Sequence, residues 1–332
     1  MIRELTENYQ PLKVLHRDKQ IKSIEKVFEN FKKMGVASNL LIFGVTGSGK
    51  TTTIKKIIKE NNCNVFSSGA TTNTAFKTFR AIFDLNCKTT ERLINESINK
   101  LKQNPRIIII DEVNKIIDPT NLFNTLNIIY RETNCPVIII TNKRTIYNDI
   151  PEDALKTLFF ERVDFKSYNA LELYDIIKGR LEGIEQEIPE IPEATLKKIC
   201  AIGGKDSSAR TVLTMTLRCI LSNDFSETFI DKIKNDLKID EWRDFLNGLK
   251  TSEKEFLKNL LELQLKQKTI FPSDLSSMMK DFTPPRISQL ISSFENYGII
   301  ESKYKNKGRA GGRLREIKFV SQEVFDTLDE MF

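Results

Sequence analysis

One stretch constrains this chain more than any other: Gly44-Val45-Thr46-Gly47-Ser48-Gly49-Lys50-Thr51. It follows the apolar run Leu40-Leu41-Ile42-Phe43 and precedes Thr52-Thr53-Ile54-Lys55-Lys56-Ile57-Ile58, which reads as strand, glycine loop, helix. The spacing G-x-x-x-x-G-K-T is that of the phosphate-binding P-loop. Glycines let successive backbone N–H groups turn inward around a polyphosphate, and the next helix points its positive N-terminal end at the same anion. On this reading Gly44 to Thr52 cradle ATP or ADP, Lys50 reaches the β- and γ-phosphates, and the Thr51 hydroxyl ligates Mg²⁺. A glycine-rich turn with a stray lysine would require neither the strand before it nor the helix after it.

Further apolar runs alternate with helical stretches. Asn64-Val65-Phe66 is a weak strand, Ile107-Ile108-Ile109-Ile110 and Val137-Ile138-Ile139-Ile140 are strong ones, and Val163-Asp164-Phe165 is a fifth candidate. Continuous β-branched runs between helices signal a parallel sheet buried on both faces, so residues 1–166 are expected to form an α/β domain. The third run ends in Asp111-Glu112, at the carboxyl end of a parallel strand, where ligands of such sheets bind. Asp111 is expected to hold Mg²⁺ through water and Glu112 to polarise an attacking water. The fourth run ends in Thr141-Asn142. Asn142 can orient water at the γ-phosphate, or it can simply end a strand in a turn. His16-Arg17-Asp18 opens a helix carrying Ile21, Ile24, Val27 and Phe28, and beside a P-loop the same residues can wall a base pocket.

From Tyr168 the strand pattern stops. Helices are expected from Leu171 to Leu181, from about Glu193 to Ala201 with Gly203-Gly204 ending it, from Asp206 through Ile220, and over about 227–237, giving a small helical domain at 167–238. Arg210 lies in the first turn of its helix, where a cation is disfavoured unless an anion meets it.

Residues 239–332 read as three helices and a hairpin. Trp242, Phe245 and Leu249 lead into a helix over Glu253–Leu265, Pro272-Ser273-Asp274 starts a second, and Thr283-Pro284-Pro285 starts a third with Thr283 as N-cap. In the third helix Ile287, Leu290, Ile291, Phe294 and Tyr297 form an apolar stripe, leaving Arg286, Gln289, Ser292 and Ser293 elsewhere. Ile299–Ser302 and Leu314–Phe319 are the strands of a hairpin around Lys307, Gly308, Arg309, Ala310, Gly311, Gly312 and Arg313. This pattern is that of a winged helix, whose third helix reads base edges in a major groove and whose wing meets phosphates or a minor groove.

Charge supports that reading. The chain has 332 residues and a net charge of +6, and residues 303–318 alone hold seven bases and one acid, so the whole excess sits in that one segment. A local basic segment suggests an anionic partner such as nucleic acid. The five cysteines are odd in number and widely spaced, as in a reducing compartment. No apolar run approaches the ~20 residues of a membrane helix, and a cytoplasmic, nucleoid-associated protein is expected.

Taken together, Tyr9-Gln10-Pro11, Leu15-His16-Arg17-Asp18, Ser38-Asn39-Leu40-Leu41-Ile42-Phe43-Gly44, Asp111-Glu112, Asn142, Tyr168-Asn169-Ala170, Ala209-Arg210 and Gly308-Arg309-Ala310-Gly311-Gly312-Arg313 resemble an archaeal replication initiator of the origin-recognition-complex and cell-division-cycle type, an AAA+ ATPase with a winged helix. The resemblance implies that His16, Arg17 and Tyr168 border the nucleotide, that Asn142 is the sensor-1 residue, and that Arg210 is the sensor-2 arginine of a helical lid. It further implies double-stranded origin DNA and a replicative helicase as partners, with a monomer in solution or assembly on DNA. Family members carry an arginine finger shortly after sensor 1, whereas Asp153–Phe159 holds no arginine in that register, and Arg144 and Arg162 lie to either side. Clamp-loader or helicase-loader ATPases and an ATP-switched DNA-binding regulator are the alternatives; the basic wing disfavours the loaders, and Glu112 favours hydrolysis over a pure switch.

Overall fold

Three strong apolar runs and two weaker ones become a single five-stranded sheet in the computed structural model, which describes residues 2–61, 64–205, 208–266, 269–306 and 313–331. In chain order the elements are α1 (Asp18–Met34), β1 (Leu40–Gly44), α2 (Lys50–Glu60), β2 (Asn64–Ser68), α3 (Gly69–Thr72), α4 (Ala75–Phe83), α5 (Thr90–Gln103), β3 (Ile107–Asp111), α6 (Pro119–Thr133), β4 (Val137–Thr141), α7 (Glu152–Leu158) and β5 (Glu161–Phe165). The strand order is β2-β3-β4-β1-β5 and every pairing is parallel. Successive side chains of a strand face opposite ways. Accordingly Leu41, Ile108, Ile110, Val137 and Ile139 join the core formed with α4 to α7, while Leu40, Ile42, Ile107, Ile109, Ile138 and Ile140 join the core formed with α1 and α2. That two-sided burial is why these runs are apolar at every position rather than at alternate ones. β2 and β5 are the edge strands, and only Val163 and Phe165 of the five residues of β5 are buried.

Asn39 fastens the entry to this sheet. Its amide donates to Leu158 O and accepts from Val137 N, and its own carbonyl accepts from Glu161 N. One buried residue, through its side chain at β4 and its backbone carbonyl at β5, thus ties β1 to the starts of both strands, which fixes the level of the loop at the other end of β1.

Four helices follow: α8 (Ala170–Glu182), α9 (Glu193–Lys205), α10 (Ala209–Ser222) and α11 (Glu227–Gly248). Asn169 and Glu172 form a reciprocal capping box at the start of α8. Two expectations are corrected here. Gly203-Gly204 does not end α9, which continues to Lys205. The reason is packing: a Cβ on Gly203 would stand 2.2 Å from Val212 Cγ2, and one on Gly204 would stand 3.3 Å from Ala170 N. These glycines therefore admit α10 and α8 to the surface of α9. Nor does a helix stop at 237; α11 runs on to Gly248, across the expected 238/239 division. The chain instead separates into compact units at Ile230 and Asp231.

Within the second unit lie α12 (Thr251–Lys266), α13 (Pro272–Met278), α14 (Pro284–Asn296), β6 (Ile300–Asn306), β7 (Arg313–Phe319) and α15 (Gln322–Asp329). Ile287, Leu290, Ile291 and Phe294 of α14 enter one core with Phe256, Leu260, Leu275 and Ile317. Tyr297 stands outside that stripe, 48% exposed, with its hydroxyl donating to Glu253. Thr283 occupies the N-cap position with extended backbone but makes no side-chain capping bond. Ile270 bridges Ile317 as a short third strand beside the antiparallel β6–β7 pair, and α15 closes the core; neither was read from sequence.

Gly203→Ala separates packing from propensity. Propensity alone would gain about 1 kcal/mol in a helix. Overpacking against Val212 should instead cost about 1–3 kcal/mol. Scanning calorimetry should show the first unit melting lower, and a higher melting temperature would contradict the packing account.

Candidate functional site

The carboxyl ends of β1, β3 and β4 open into a cleft of about 860 Å³. Its floor is the P-loop. Gly49 caps α2 with φ 89°, and a Cβ there would meet Tyr168 Oη at 2.5 Å, so this position requires glycine both for conformation and for space. Thr46, Gly47, Gly49, Lys50, Thr51 and Thr52 line the cleft. Gly44, Val45 and Ser48 shape the loop from behind. Lys50 Nζ donates to Gly44 O at 2.7 Å and to Val45 O at 2.8 Å, and Ser48 Oγ donates to Val45 O at 2.7 Å. Burial pushes the Lys50 ammonium down to about 8, against the pull of Asp111 and Glu112.

Asp111 is 3% exposed and accepts from Thr51 Oγ1 at 2.6 Å and from Glu112 N at 2.8 Å. Burial raises its pKa, and the Thr51 hydrogen bond opposes the rise. One hydroxyl and one carboxylate at contact distance suit Mg²⁺, which binds few protein oxygens and keeps its waters and a substrate's phosphates. Among the described residues no group of three or more His, Cys, Asp or Glu could cage a metal by itself.

Glu112 adopts left-handed backbone, φ 51° and ψ 42°. This sparsely populated conformation costs of order 1 kcal/mol and turns the carboxylate into the cleft. Its Oε2 accepts from Ser68 Oγ at 2.7 Å, leaving Oε1 outside that bond. Ser68 was not singled out in the sequence; its position at the end of β2, in register with Asp111, is the signal that could have found it. Asn142 at the tip of β4 also faces the cleft, with its amide 3.4 Å from Thr46 Oγ1.

The remaining walls come from both ends of the first unit. Residues Glu7 to Leu15 form one side, and α8 and the start of α10 form the other. Gln10 Nε2 donates to Thr52 O at 2.8 Å, fastening the N-terminal segment to α2. Tyr168 lines the cleft, as does Arg210, whose Nε lies 2.9 Å from Glu7 Oε1.

His16 and Arg17 depart from expectation, since neither lines the cleft. His16 Nε2 meets Asp175 Oδ2 at 2.9 Å. Arg17, 3% exposed, donates to Ser48 O at 3.0 Å, His16 O at 2.8 Å and Lys166 O at 2.8 Å, and its guanidinium lies 3.6 Å from the Tyr168 ring centroid. Burial lowers its pKa, yet no carboxylate is needed because carbonyls and an aromatic face accept the cation. Arg17 braces the P-loop from behind. Of the arginines flanking the missing finger, Arg162 pairs with Asp164 at 2.8 Å and lies over the Phe43 ring, while Arg144 is exposed after β4.

A family model described as an AAA domain matches residues 34–145, which include the P-loop, Asp111-Glu112 and Asn142. An "ORC1-type DNA replication protein 2" from Thermoplasma acidophilum is 24% identical, the match covering 96% of this chain and 88% of that one. One from Picrophilus torridus is 25% identical, covering 97% and 88%. The solved structure of the Aeropyrum pernix ORC1 protein in complex with DNA superposes with a TM-score of 0.80 at 17% identity, covering 99% of this chain and 96% of that one. In sequence the chain is similar to proteins named ORC1-type DNA replication proteins, and its fold is similar to that of the Aeropyrum pernix ORC1 protein.

The second unit carries the remaining candidates. On α14, Gln289 and Ser292 are exposed, while Arg286 and Ser293 are half-buried. Arg286 donates to Gln289 Oε1 at 2.6 Å and to Ser252 Oγ at 3.1 Å, so its fork is already oriented. Ser293 Oγ donates to Gln289 O. Among the described side chains of the hairpin, Lys303 meets Glu301 at 3.1 Å, Arg315 meets Glu295 at 2.7 Å and Lys318 meets Glu316 at 3.2 Å. Lys307, Arg309 and Gly311 lie outside the described residues, and Arg313 is described only as the first backbone position of β7.

Bracing and base contact give opposite results for Arg17→Lys. Lysine keeps the charge but loses the fork that reaches three carbonyls. ATP and GTP affinities should fall by the same factor in calorimetric titrations. A changed ATP-to-GTP ratio would return Arg17 to the base pocket.

Proposed function

We propose that the chain is an ATP-hydrolysing replication initiator that binds origin duplex DNA. The observation that carries this is the contact of Thr51 with Asp111 inside a cleft closed by the N-terminal segment and the helices after Tyr168. It occurs in a chain whose relatives, matched over 92–97% of its length, are named ORC1-type DNA replication proteins. The coarse activity is that of an AAA+ ATPase, with the nucleotide phosphates in the cradle of P-loop amides.

Thr51 and Asp111 would hold Mg²⁺, which would supply charge neutralisation for a bound polyphosphate. Lys50 leaves the two loop carbonyls for the phosphates. Glu112 takes a proton from the attacking water on its carboxylate, and Asn142 orients that water from the tip of β4. Arg210, at the start of α10, reaches the γ-phosphate and so reports its presence to the lid formed by α8, α9 and α10. Residues 1–166 are the ATPase base, 167–238 the helical lid and 239–332 the winged-helix domain.

In the second unit α12, α13 and α14 with the β6–β7 hairpin have the order of a winged helix. Gln289, Ser292 and Arg286 present hydrogen-bonding groups from the first three turns of α14, where major-groove readers place base contacts. Four of the hairpin bases, Lys305, Lys307, Arg309 and Arg313, lie toward its tip in sequence, where they meet phosphates or a minor groove. The Aeropyrum pernix ORC1 structure was solved with DNA, which supports duplex DNA as the partner. Recruitment of a replicative helicase is the downstream role that fits an initiator.

Two measurements test the halves of this reading. Glu112→Gln should bind ATP normally and hydrolyse it at least about 100-fold more slowly, the lower range for a lost general base. Hydrolysis at the parent rate would remove Glu112 from that role. Separately, Gln289→Ala should cost about 1–3 kcal/mol on a specific site and relax its sequence preference. Arg309→Ala should weaken binding to all duplexes and lower the salt slope by about one for each phosphate that the arginine neutralises. Identical effects of the two substitutions would contradict a division between reading helix and wing.

A further inference from the structure

A carboxylate in the wall of a polyphosphate cleft repels the ligand unless a cation neutralises it. Glu7 is such a carboxylate, and its neutralising cation is Arg210 at 2.9 Å. The segment bearing Glu7 is anchored on both sides. Arg180 of α8, 9% exposed, donates to Glu4 O at 2.9 Å and to Tyr9 O at 3.4 Å, and its guanidinium lies 4.8 Å from the Tyr9 ring centroid. Leu5, between those two carbonyls, is 1% exposed. Glu7 is therefore presented to Arg210 from a fixed stretch of backbone rather than from a loose terminus.

We infer that Glu7 is a specificity-determining residue that competes with the γ-phosphate for Arg210. The inference rests on the reading that Arg210 reaches the γ-phosphate. With a diphosphate bound, nothing draws Arg210 from Glu7. With a triphosphate bound, Arg210 exchanges one anion for another, and the broken pair subtracts from ATP affinity alone. Glu7 thereby narrows the preference for ATP over ADP and eases the return of Arg210 after hydrolysis. Both side chains are about half exposed, 47% for Glu7 and 57% for Arg210, so the exchange costs little and can reverse in each cycle.

The test is a four-variant titration with Mg²⁺ and ATP or ADP at about 0.1 M salt, where screening extends over about 10 Å. The variants are Glu112→Gln, used throughout to suppress turnover, and that chain carrying Glu7→Gln, Arg210→Ala or both. Glu7→Gln should tighten ATP by about two- to fivefold, as expected for release of an exposed pair, and leave ADP unchanged. On Arg210→Ala it should leave the ATP-to-ADP ratio unaltered. If Arg210→Ala collapses the ratio while Glu7→Gln leaves it alone, the competition is overturned and the γ-phosphate reading stands. If Arg210→Ala does not change the ratio, the γ-phosphate reading fails and the competition fails with it. An equal effect of Glu7→Gln with and without Arg210 would mean that Glu7 repels phosphate directly, which also overturns the inference.

Discussion

Everything at the cleft depends on β4 lying between β1 and β3. Neighbouring strands stand about 4.8 Å apart, so the P-loop leaving β1 and the acid ending β3 begin about 10 Å from one another, across the end of β4. That gap accommodates a phosphate chain and its cation. The P-loop turns back over it, and the Thr51–Asp111 hydrogen bond at 2.6 Å is where the two sides meet. Asn142, at the end of the intervening strand, is consequently directed at the middle of the gap. In the order β2-β3-β4-β1-β5 the largely apolar β1, β3 and β4, buried on both faces, take the centre, and β2 and the half-polar β5 take the edges.

Two buried guanidinium groups then hold the surroundings of the cleft in place. Arg17 and Arg180 both lose solvation, which lowers their pKa values, and both are satisfied chiefly by backbone carbonyls and an aromatic face. A fork of five donors fits several carbonyls at once, which a lysine could not do. Arg17 joins the P-loop to the segment after β5 through Ser48 O and Lys166 O. Arg180 joins α8 to the N-terminal segment through Glu4 O and Tyr9 O. Arg180 thus ties α8 to the wall carrying Glu7, and Arg210 at the start of α10 pairs with Glu7 itself.

The sheet, the P-loop and the acidic strand end were legible in the sequence because each rests on local pattern: apolar runs, glycine spacing and a polar break after four isoleucines. What was illegible depends on distant partners. Gly203-Gly204 carries a helix-stop signal, and only the approach of Val212 and Ala170 reveals it as a packing surface. His16-Arg17 reads as exposed polar chemistry until Ser48, Lys166 and Tyr168 close around the arginine. Ser68 and Glu7 are ordinary in sequence and acquire meaning from Glu112 and Arg210, 44 and 203 positions away. The basic hairpin was legible as a charge excess, but Glu295 of α14 and Glu301 of β6 reduce the charge available for an anionic partner.

The central claim, that nucleotide chemistry in the first unit serves sequence-selective duplex binding, is tested most directly by retention of source-genome fragments on the full chain at about 0.15 M salt, with saturating ATP and with ADP. The account predicts that a few fragments are held at least about a thousandfold more tightly than the remainder, the lower range for specific over non-specific binding. Uniform retention of all fragments in both nucleotide states, governed by salt alone, would contradict it.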